Sequence, residues 1–361
     1  MKIISVVGAR AQFIKVKPVA SELAKRSATH VLVHTGQHYD YEMSQQFFEE
    51  LDIPEPNYNL QVGSSTHGKQ LALILERVEV VLLSERPDVV VVYGDTNSTL
   101  GGALAAVKLH IMVAHVEAGL RSHRLDMPEE VNRVLTDHVS RYLFCPTSTA
   151  VDNLKKEGIT GGVHLVGDVM YDVLLSNFKA LEKTSKILER LGLRPKDYYL
   201  ATIHRAENTN SKHRLSEIIA AFCGLDKEVI FPAHPRTRKM LQAFGIEVDS
   251  RVRLIDPVSY VDMLTLEMNA ARVLTDSGGV QKESRILGTP CVTIRNETEW
   301  PETLEGGWNV LAGADKKRII SCALTFMQTT DAGAKARIKL YGDGDAARRL
   351  VDVLLTNPEM C

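Results

Sequence analysis

The segment Val89–Lys108 decides the fold class, because it places a strand, a turn and a helix in direct succession. It has the sequence VVVVYGDTNSTLGGALAAVK. The run Val89–Tyr93 is apolar throughout rather than alternating, which is typical of a parallel strand covered on both faces. The turn Gly94-Asp95-Thr96 follows, and Ser98–Lys108 has the pattern of a helix. The segment therefore predicts one strand-to-helix step of a parallel sheet.

The same succession recurs on either side of this segment. The other predicted strands are Ile3–Val7, Val31–His34, Met112–Val116, Tyr142–Cys145, Tyr199–Ile203, Val229–Pro232, Val252–Ile255, Ala271–Thr275 and Cys291–Ile294. Helical patterns lie between them, at Lys69–Leu83, Glu130–Ser140, Leu215–Phe222 and Val280–Leu287 among others. Strands that alternate with helices predict α/β domains with doubly wound parallel sheets.

The series breaks between Asp168 and Pro195, where a helical stretch ends and new strands begin. We interpret this break as the passage between two Rossmann-like domains, 1–170 and 171–344. A last helix, beginning at about 345 and included in the segment 345–361, follows the turn Tyr341-Gly342-Asp343-Gly344.

Composition excludes several classes of protein. The 361 residues include 43 Lys and Arg against 45 Asp and Glu, so no basic excess points to nucleic acid or to an anionic membrane. The five cysteines are scattered and form no Cys-x-x-Cys pair, which favours reduced thiols over a disulfide framework or a zinc site. No apolar run approaches the roughly 20 residues of a membrane span or resembles a signal peptide. These features predict a cytoplasmic protein without a metal centre.

Cofactor motifs point in the same direction. The turn Gly8-Ala9-Arg10 lacks the Gly-x-Gly-x-x-Gly pattern of dinucleotide binding, and the sequence contains no Walker A loop. We therefore expect neither a nicotinamide nor an ATP site, and no cofactor.

Polar and charged residues follow the predicted strands at their carboxyl ends, where open α/β sheets bind ligands. In the first half these are Arg10, Lys15 in the helix that follows, Gln37, His38, Asp95 and Glu117, and in the second half His204, Arg205, His234 and Asp276 through Gly279. We expect the two domains to face each other across a cleft that brings these groups together.

The segment Asp276–Glu283 has two interpretations. Glycines at 278 and 279 let the backbone approach a ligand, and the first turn of a helix favours phosphate, with Ser277 as a further donor and Glu283 as an acceptor for a sugar hydroxyl pair. Alternatively, Ser277 is an ordinary helix cap followed by a flexible turn. The residue types alone leave both open.

Other candidates carry similar alternatives. Asp95 either points a carboxylate into the site or caps the next helix. Glu129 and Arg133 share a helix face with Asn132 by their spacing, but a solvated Glu–Arg pair has the same pattern. His204 and His234 are either satisfied core histidines or, with arginines beside them, phosphate contacts.

Taken together and in order, the motifs resemble the non-hydrolysing UDP-N-acetylglucosamine 2-epimerases over essentially the whole chain. That resemblance implies two Rossmann-like domains in a GT-B-like arrangement, a final helix that packs back on the N-terminal domain, and a homodimer. The matching segments are Gly8-Ala9-Arg10, Ile14-Lys15, Thr35–His38, Gly94-Asp95-Thr96, His115–Arg121, Pro128–Arg133, Val166-Gly167-Asp168, His204–Asn208, Thr275–Glu283 and Tyr341–Gly344.

The resemblance also implies an activity. The family inverts C2 of an N-acetylhexosamine attached to UDP, by eliminating UDP to a 2-acetamidoglucal and adding it back. The positions that match the family's catalytic groups are Asp95, Glu117, Glu129 and His204. The expected contacts of the UDP-sugar are Arg10, Lys15, Arg133, Arg205, His234, Asp276, Ser277, Gly278, Gly279 and Glu283, and Gln37 and His38 match a regulatory UDP-sugar site.

Departures from the family pattern leave the exact substrate open. Ala9, Ala11 and Gln12 replace the usual Thr, Pro and Glu, Ala206 replaces an arginine, and Trp300 stands where an arginine is frequent. Asp40 replaces a glutamine of the regulatory site, which puts allosteric activation in doubt. The alternatives are an epimerase for UDP-2,3-diacetamido-2,3-dideoxy-glucuronate, a hydrolysing epimerase that releases UDP and N-acetylmannosamine, a glycosyltransferase of the same fold, and a non-catalytic nucleotide-sugar sensor.

Overall fold

The computed structural model describes residues 1–37, 53–325 and 340–356, with the backbone alone for 177–184. Contacts within the chain divide these residues into two compact units. Unit 1 consists of Met1–Ser176 together with the C-terminal residues 340–356, and unit 2 begins at Asn177 and continues through residue 325.

Unit 1 is built on a seven-stranded sheet in the order β3-β2-β1-β4-β5-β6-β7, in which every neighbouring pair is parallel. The strands are β1 (Lys2–Val7), β2 (Thr29–His34), β3 (Tyr58–Asn59), β4 (Val89–Tyr93), β5 (Met112–Val116), β6 (Tyr142–Cys145) and β7 (Val163–Leu165). The described helices are α1 (Arg10–Lys25), α2 (His67–Glu85), α3 (Asn97–Lys108), α4 (Pro128–Val139), α5 (Ser148–Lys156), α6 (Val169–Thr184), which continues into unit 2, and the C-terminal helix Ala346–Thr356, labelled α14.

The core of unit 1 lies between the sheet and its helices. Every residue of β4 is fully buried, as expected for a central strand of a doubly wound sheet. The helices α2 and α3 approach each other closely at Gly101, where a Cβ would lie 2.5 Å from Cγ2 of Ile74. Glycine is required there because any side chain would separate the two helices.

Unit 2 contains a six-stranded parallel sheet in the order β10-β9-β8-β11-β12-β13. Its strands are β8 (Tyr198–Thr202), β9 (Glu228–Pro232), β10 (Val252–Ile255), β11 (Arg272–Thr275), β12 (Cys291–Thr293) and β13 (Asn309–Leu311). Its described helices are α7 (Ile187–Leu191), α8 (Ala206–Thr209), α9 (Lys212–Cys223), α10 (Pro235–Phe244), α11 (Tyr260–Asn269), α12 (Gly278–Leu287) and α13 (Lys316–Leu324), with a 3₁₀ segment at Pro301–Gly307.

The prediction of two Rossmann-like domains with doubly wound parallel sheets is confirmed. The units divide inside α6, after Ser176, whereas the sequence suggested a boundary after 170. The first turns of α6 belong with unit 1 because the carboxylate of Asp172 accepts hydrogen bonds from the backbone N–H groups of Ala346 (3.2 Å) and Ala347 (2.8 Å) at the start of α14.

The helix α14 packs against α1, so the described part of the C-terminal segment belongs to unit 1. Residues 357–361 of the predicted segment lie outside the described residues. Within the described ranges, no helix combines the length and apolar character that crossing a bilayer requires.

Candidate active site

In unit 1, a lysine and a glutamate meet at the carboxyl end of the sheet. Lys15 on α1 forms an ion pair with the carboxylate of Glu117, which follows β5, and the two side chains are only 8% and 9% exposed. Both lie beside Gly94 at the end of β4, where a Cβ would be 3.0 Å from Lys15 Nζ. The backbone of Glu117 has φ +75°, an uncommon conformation for a residue with a side chain. Such conformations are often found at functional sites.

Asp95 is the residue after Gly94, and it contacts two side chains of α4. Its carboxylate forms an ion pair with Arg133, and its carbonyl oxygen accepts a hydrogen bond from Asn132 Nδ2 at 3.0 Å. The side chain of Asp95 remains about a third exposed, at 31%. Thr96, rather than Asp95, accepts the capping hydrogen bond from Thr99 N at the start of α3. The geometry therefore favours the first interpretation of Asp95, a carboxylate at the edge of the site.

The first turn of α4 carries two glutamates with different environments. Glu130 is buried, and its carboxylate accepts hydrogen bonds from the backbone N–H groups of Ser122 (2.9 Å) and His123 (2.8 Å) and from Arg133 Nη1 (2.8 Å). Glu129 is half-buried in the same turn. Glu130 thus holds the loop before α4 and braces Arg133.

Arg10 begins α1 and is half-buried. The side chain of Gln37 accepts hydrogen bonds from Ser98 N (2.9 Å) and Ser98 Oγ (2.7 Å) at the start of α3. Gln37 is therefore fixed against the same edge of the sheet. His38 and Asp40, which complete the predicted regulatory site, lie outside the described residues.

In unit 2, a buried aspartate supports the loop after β8. Asp276 is fully buried, and its carboxylate accepts hydrogen bonds from His204 N (3.1 Å), Arg205 N (3.0 Å) and Asn208 Nδ2 (3.0 Å). His204 itself is exposed, with Nδ1 at 3.5 Å from Asp276 Oδ1. These hydrogen bonds to Asp276 are all made within the protein, and a contact of Asp276 with the nucleotide stays a prediction. Asp276 fixes the residues that carry His204 and Arg205.

The helix α12 begins with Gly278-Gly279 at the end of β11. Ser277 occupies the N-cap position, but among the described residues its side chain makes no capping hydrogen bond. Because the N–H groups at a helix start favour negative charge, an anion contact at this turn stays a prediction. One turn later, Glu283 is buried and accepts a hydrogen bond from Tyr260 Oη at 2.9 Å.

An ion-pair cluster lies beside this turn. Arg295 donates to the carboxylate of Glu299 through both of its terminal nitrogens, at 2.8 and 3.0 Å, and Arg205 Nη2 lies 3.7 Å from the same carboxylate. Trp300 approaches Gly278, where a Cβ would lie 3.3 Å from the indole nitrogen. Lys282 Nζ lies 3.8 Å from the centre of the same indole ring. The tryptophan that replaces a frequent arginine thus contributes to the wall of the helix start.

His234 is exposed at the start of α10, and its Nδ1 accepts a hydrogen bond from Arg236 N at 3.2 Å. It caps the helix through this ring nitrogen. Neither of the two histidines predicted in unit 2 is a buried core histidine. Among the described residues, no group of His, Cys, Asp and Glu side chains has the arrangement of a metal site.

One carboxyl group of unit 2, that of Glu267, has an unusual environment. Glu267 on α11 is fully buried, and neither of its oxygens has a hydrogen-bond partner among the described residues. Burial, and after it the negative charge of Glu283, raises the pKa of Glu267 well above its usual range. Both causes favour the protonated form of Glu267.

Comparison with known proteins identifies the family. The family described as UDP-N-acetylglucosamine 2-epimerase matches residues 21–355. The chain belongs to this family. It is 52% identical to a UDP-N-acetylglucosamine 2-epimerase homolog of Methanococcus maripaludis, over 98% of this chain and 99% of that protein. It is also 47% identical to the UDP-2,3-diacetamido-2,3-dideoxy-D-glucuronate 2-epimerase of Pseudomonas aeruginosa, over 98% and 99%.

One solved structure is similar to this epimerase over nearly the whole chain. The UDP-GlcNAc 2-epimerase of Methanocaldococcus jannaschii, in complex with UDP-GlcNAc and UDP, matches with a TM-score of 0.93 and 44% identity. The match covers 99% of this chain and 100% of that one.

Some supporting residues of the epimerase escape prediction from the sequence. They are Glu130, Asn132 as the hydrogen-bond donor to the Asp95 carbonyl, Asp137 on α4, whose carboxylate accepts a hydrogen bond from Arg121 Nη1 at 2.7 Å, and the pair Arg295 and Glu299. Each of them makes a contact between elements that are distant in the chain, or between side chains whose orientation does not follow from their spacing in the sequence. The only signal in the sequence is that several of these acids and bases stand close to the residues of the site.

Proposed function

We propose that this epimerase interconverts UDP-N-acetylglucosamine and UDP-N-acetylmannosamine by eliminating UDP and adding it back. The observation that carries the proposal is the placement of Asp95 and Glu117 at one sheet edge, each paired with a cation, Arg133 and Lys15. The Methanocaldococcus jannaschii structure, which holds UDP-GlcNAc and UDP, supports the choice of substrate.

The chemistry explains why such a set of residues is needed. The hydrogen at C2 is not adjacent to a carbonyl group, so its removal must be coupled to cleavage of the C1–oxygen bond. A base takes the C2 proton, the electron pair forms the C1–C2 double bond, and UDP leaves with the electrons of the bond to C1. A proton then returns to C2 on the opposite face, and a UDP oxygen forms the bond to C1 again. The products are the epimer and an unchanged enzyme.

Unit 1 supplies the proton transfer in this proposal. Asp95, Glu117 and Glu129 are the candidate acids and bases, and general acid–base catalysis of this kind contributes about 10² to 10⁴ in rate. The ion pairs with Lys15 and Arg133 hold two of the three carboxylates in fixed positions. Positioned groups lower the barrier because they need no reorganisation during the reaction.

Unit 2 binds the nucleotide and stabilises the charge of the departing UDP. The start of α12, with Ser277, Gly278 and Gly279, and the side chain of Arg205 are the proposed contacts of the diphosphate. His204 and His234 stand exposed at the same sheet edge, and Glu283 is the proposed acceptor for a sugar hydroxyl pair. Arg10 in unit 1 is the further proposed contact.

Proton NMR in heavy water tests the proposal. Incubation of the purified protein with UDP-N-acetylglucosamine should produce UDP-N-acetylmannosamine, with deuterium at C2 in both sugars at equilibrium. A sample that shows no deuterium at C2 after prolonged incubation would refute the mechanism. Free N-acetylmannosamine together with UDP would identify the hydrolysing reaction instead.

The similarity to a relative supports a second candidate substrate, a diacetamido-glucuronate nucleotide. The Pseudomonas aeruginosa relative, named as acting on a diacetamido-glucuronate nucleotide, is 47% identical to this chain. The same NMR experiment with UDP-2,3-diacetamido-2,3-dideoxy-glucuronate decides between the two sugars. The substrate with the larger kcat/KM for C2 exchange is the one for which the site is built.

The assembly is a further proposal, a homodimer formed through unit 1. The helices α2 and α4 both pack against α3, and each exposes apolar side chains at helical spacing, Val80 and Leu83 on α2 and Val131 and Leu135 on α4. Such exposed apolar patches often mark interfaces. Light scattering coupled to gel filtration tests it, since a monomer mass at micromolar concentration would contradict the dimer. A cytoplasmic location stays a prediction.

A further inference from the structure

A chain of three side-chain amides crosses unit 1 beside the turn that carries Asp95. Gln70 on α2, Asn97 at the start of α3 and Asn132 on α4 are all buried. Asn97 Nδ2 donates a hydrogen bond to Gln70 Oε1 at 2.8 Å, and Asn132 Nδ2 donates one to Asn97 Oδ1 at 3.1 Å. Each of three successive helices thus contributes one buried amide to the chain.

The chain ends on a backbone carbonyl group at each side, and these two groups fix its direction. Gln70 Nε2 donates to the carbonyl oxygen of Gly63 at 2.8 Å, and Asn132 Nδ2 also donates to that of Asp95 at 3.0 Å. A carbonyl oxygen can only accept, so both end amides must present their nitrogens to it. The oxygen of Gln70 then faces Asn97, and the nitrogen of Asn132 faces Asn97 from the other side. Both ends therefore require the same orientation of Asn97.

The end of the chain that is remote from Asp95 is anchored to the loop after β2. Gly63 N donates to the carbonyl oxygen of Gly36, which lies in that loop, at 2.9 Å. Asp95 follows β4, and the strands β2 and β4 lie on opposite sides of β1 in the sheet. The three amides therefore connect two loops at the carboxyl edge whose strands do not pair with each other.

We propose that Asn97 and Gln70 are positioning residues for Asp95 and that both act through Asn132. The helix α4 binds Asp95 twice, at the carbonyl oxygen through Asn132 and at the carboxylate through Arg133. Asn97 holds the side chain of Asn132, and Gln70 holds Asn97. A break in the chain releases the turn that carries Asp95, and the effect of that release on the reaction rests on the proposed function.

The positioning effect of the central amide is measured by kinetics. Asn97→Leu keeps a side chain of similar size, adds no charge and removes both hydrogen bonds. We expect kcat for exchange at C2 to fall about tenfold to a hundredfold, because Asp95 is no longer held in one position. The Kd for UDP should stay within about twofold, because the proposed diphosphate contacts at α12 and Arg205 lie in unit 2. A folded Asn97→Leu protein with wild-type kcat would overturn the proposal.

A second variant, Gln70→Leu, tests whether the amides act as a chain. Gln70 reaches Asp95 only through the other two amides, and its replacement should lower kcat about twofold to tenfold, as the loss of one hydrogen bond does. In the Asn97→Leu protein the chain is already broken, so Gln70→Leu should lower kcat no further. Losses that multiply in the double variant would overturn the chain, and so would wild-type kcat in Gln70→Leu alone. The matched control is Asn269→Leu, which removes the hydrogen bond of a half-buried amide in unit 2 and should change neither kcat nor the Kd for UDP.

Failure of the proposed function is distinguishable from failure of the chain. If the wild-type protein exchanges no C2 hydrogen in any UDP-sugar, the proposed function fails, and hydrogen exchange on the substrate-free protein still tests the chain. In ¹⁵N-labelled protein, the side-chain N–H groups of Asn132, assigned by their absence from Asn132→Asp, should exchange slowly with solvent and faster in Asn97→Leu. Equal exchange rates in the two proteins would overturn the chain. If Asn97→Leu does not fold, Asn97→Ala removes the same two hydrogen bonds and provides both comparisons.

Discussion

At the scale of single residues, Asp95 is the sharpest test of the proton transfer. Asp95→Asn removes the basic carboxylate but keeps its size and an oxygen for Arg133. We expect kcat for C2 exchange to fall by about a hundredfold or more, which is the contribution of a general base, while UDP affinity is retained. Deuterium incorporation measured by NMR and UDP binding measured by calorimetry give the two numbers.

The matched control for this variant is Asp126→Asn. Asp126 also pairs with an arginine, Arg124 at 2.6 Å, but it is exposed on the loop before α4. Its replacement should leave exchange at C2 unchanged. Equal activity in Asp95→Asn and the wild-type protein would remove Asp95 from the mechanism and would favour a nucleotide-sugar sensor.

The environment of a second residue, Glu267, predicts how the stability of the protein depends on pH. Its pKa in the folded protein is raised, so the folded state keeps a proton that the unfolded chain loses above its ordinary pKa of about 4.3. The free energy of unfolding therefore decreases as the pH rises above that value towards the raised pKa. Glu267→Gln removes this dependence, so the variant should become progressively more stable relative to the wild type as the pH rises from 5 to 8.

Urea denaturation at several pH values measures the effect of Glu267→Gln. The exposed Glu247, also in unit 2, provides the control, and Glu247→Gln should leave the pH dependence of unfolding as it is in the wild type. A parallel pH dependence in Glu267→Gln and the wild type would mean that Glu267 is ionised in the folded protein.

At the scale of elements, the loop between β8 and α8 depends on Asp276. Replacing it by Asn turns an acceptor of backbone N–H groups into a donor that opposes them, and hydrogen bonds to charged groups are worth about 1.5 to 3 kcal/mol. Asp276→Asn should therefore weaken UDP binding about tenfold or more, because Arg205 and His204 lose their fixed positions. Calorimetric titration with UDP checks this, with Asp226→Asn as control, since exposed Asp226 accepts only from Tyr199 Oη (2.7 Å) among its described contacts.

The elements also show what the sequence alone can predict. The sequence predicts β4 and β5 at their observed bounds and the central strands β1, β8 and β11 to within one residue, because a continuous apolar run can be buried only between two layers. The edge strands β3, β7 and β13 were missed, since each has two or three residues and pairs with a single neighbour. Runs this short show no periodicity.

The candidate site was predictable in part for a related reason. Asp95, Glu117 and the start of α12 follow strands, and the sheet topology alone brings them to the carboxyl edges of their units. The roles of Asp276 and Glu130 depend on which way a side chain turns. Asp276 turns inward to the loop after β8, and Glu130 binds the loop that precedes it. Neither direction is encoded by residue type or spacing.

At the scale of the whole molecule, unit 1 is completed by the C-terminal helix. Leu350 on α14 is fully buried, although it lies far along the chain from the strands of unit 1. Leu350→Ala should lower the free energy of unfolding of unit 1 by about 2 to 5 kcal/mol, as truncation of a buried leucine does. Both tryptophans of the protein, Trp300 and Trp308, belong to unit 2, so fluorescence reports on unit 2 and circular dichroism on both units.

Denaturation of Leu350→Ala followed by both signals should show the dichroism change at lower denaturant than in the wild type. If unit 2 unfolds independently, the fluorescence transition should keep its wild-type midpoint. Leu324→Ala, at the end of α13, is the control, since Leu324 is 49% exposed and its truncation should cost less than about 0.5 kcal/mol. A dichroism midpoint equal to that of the wild type would show that α14 contributes nothing to the stability of unit 1.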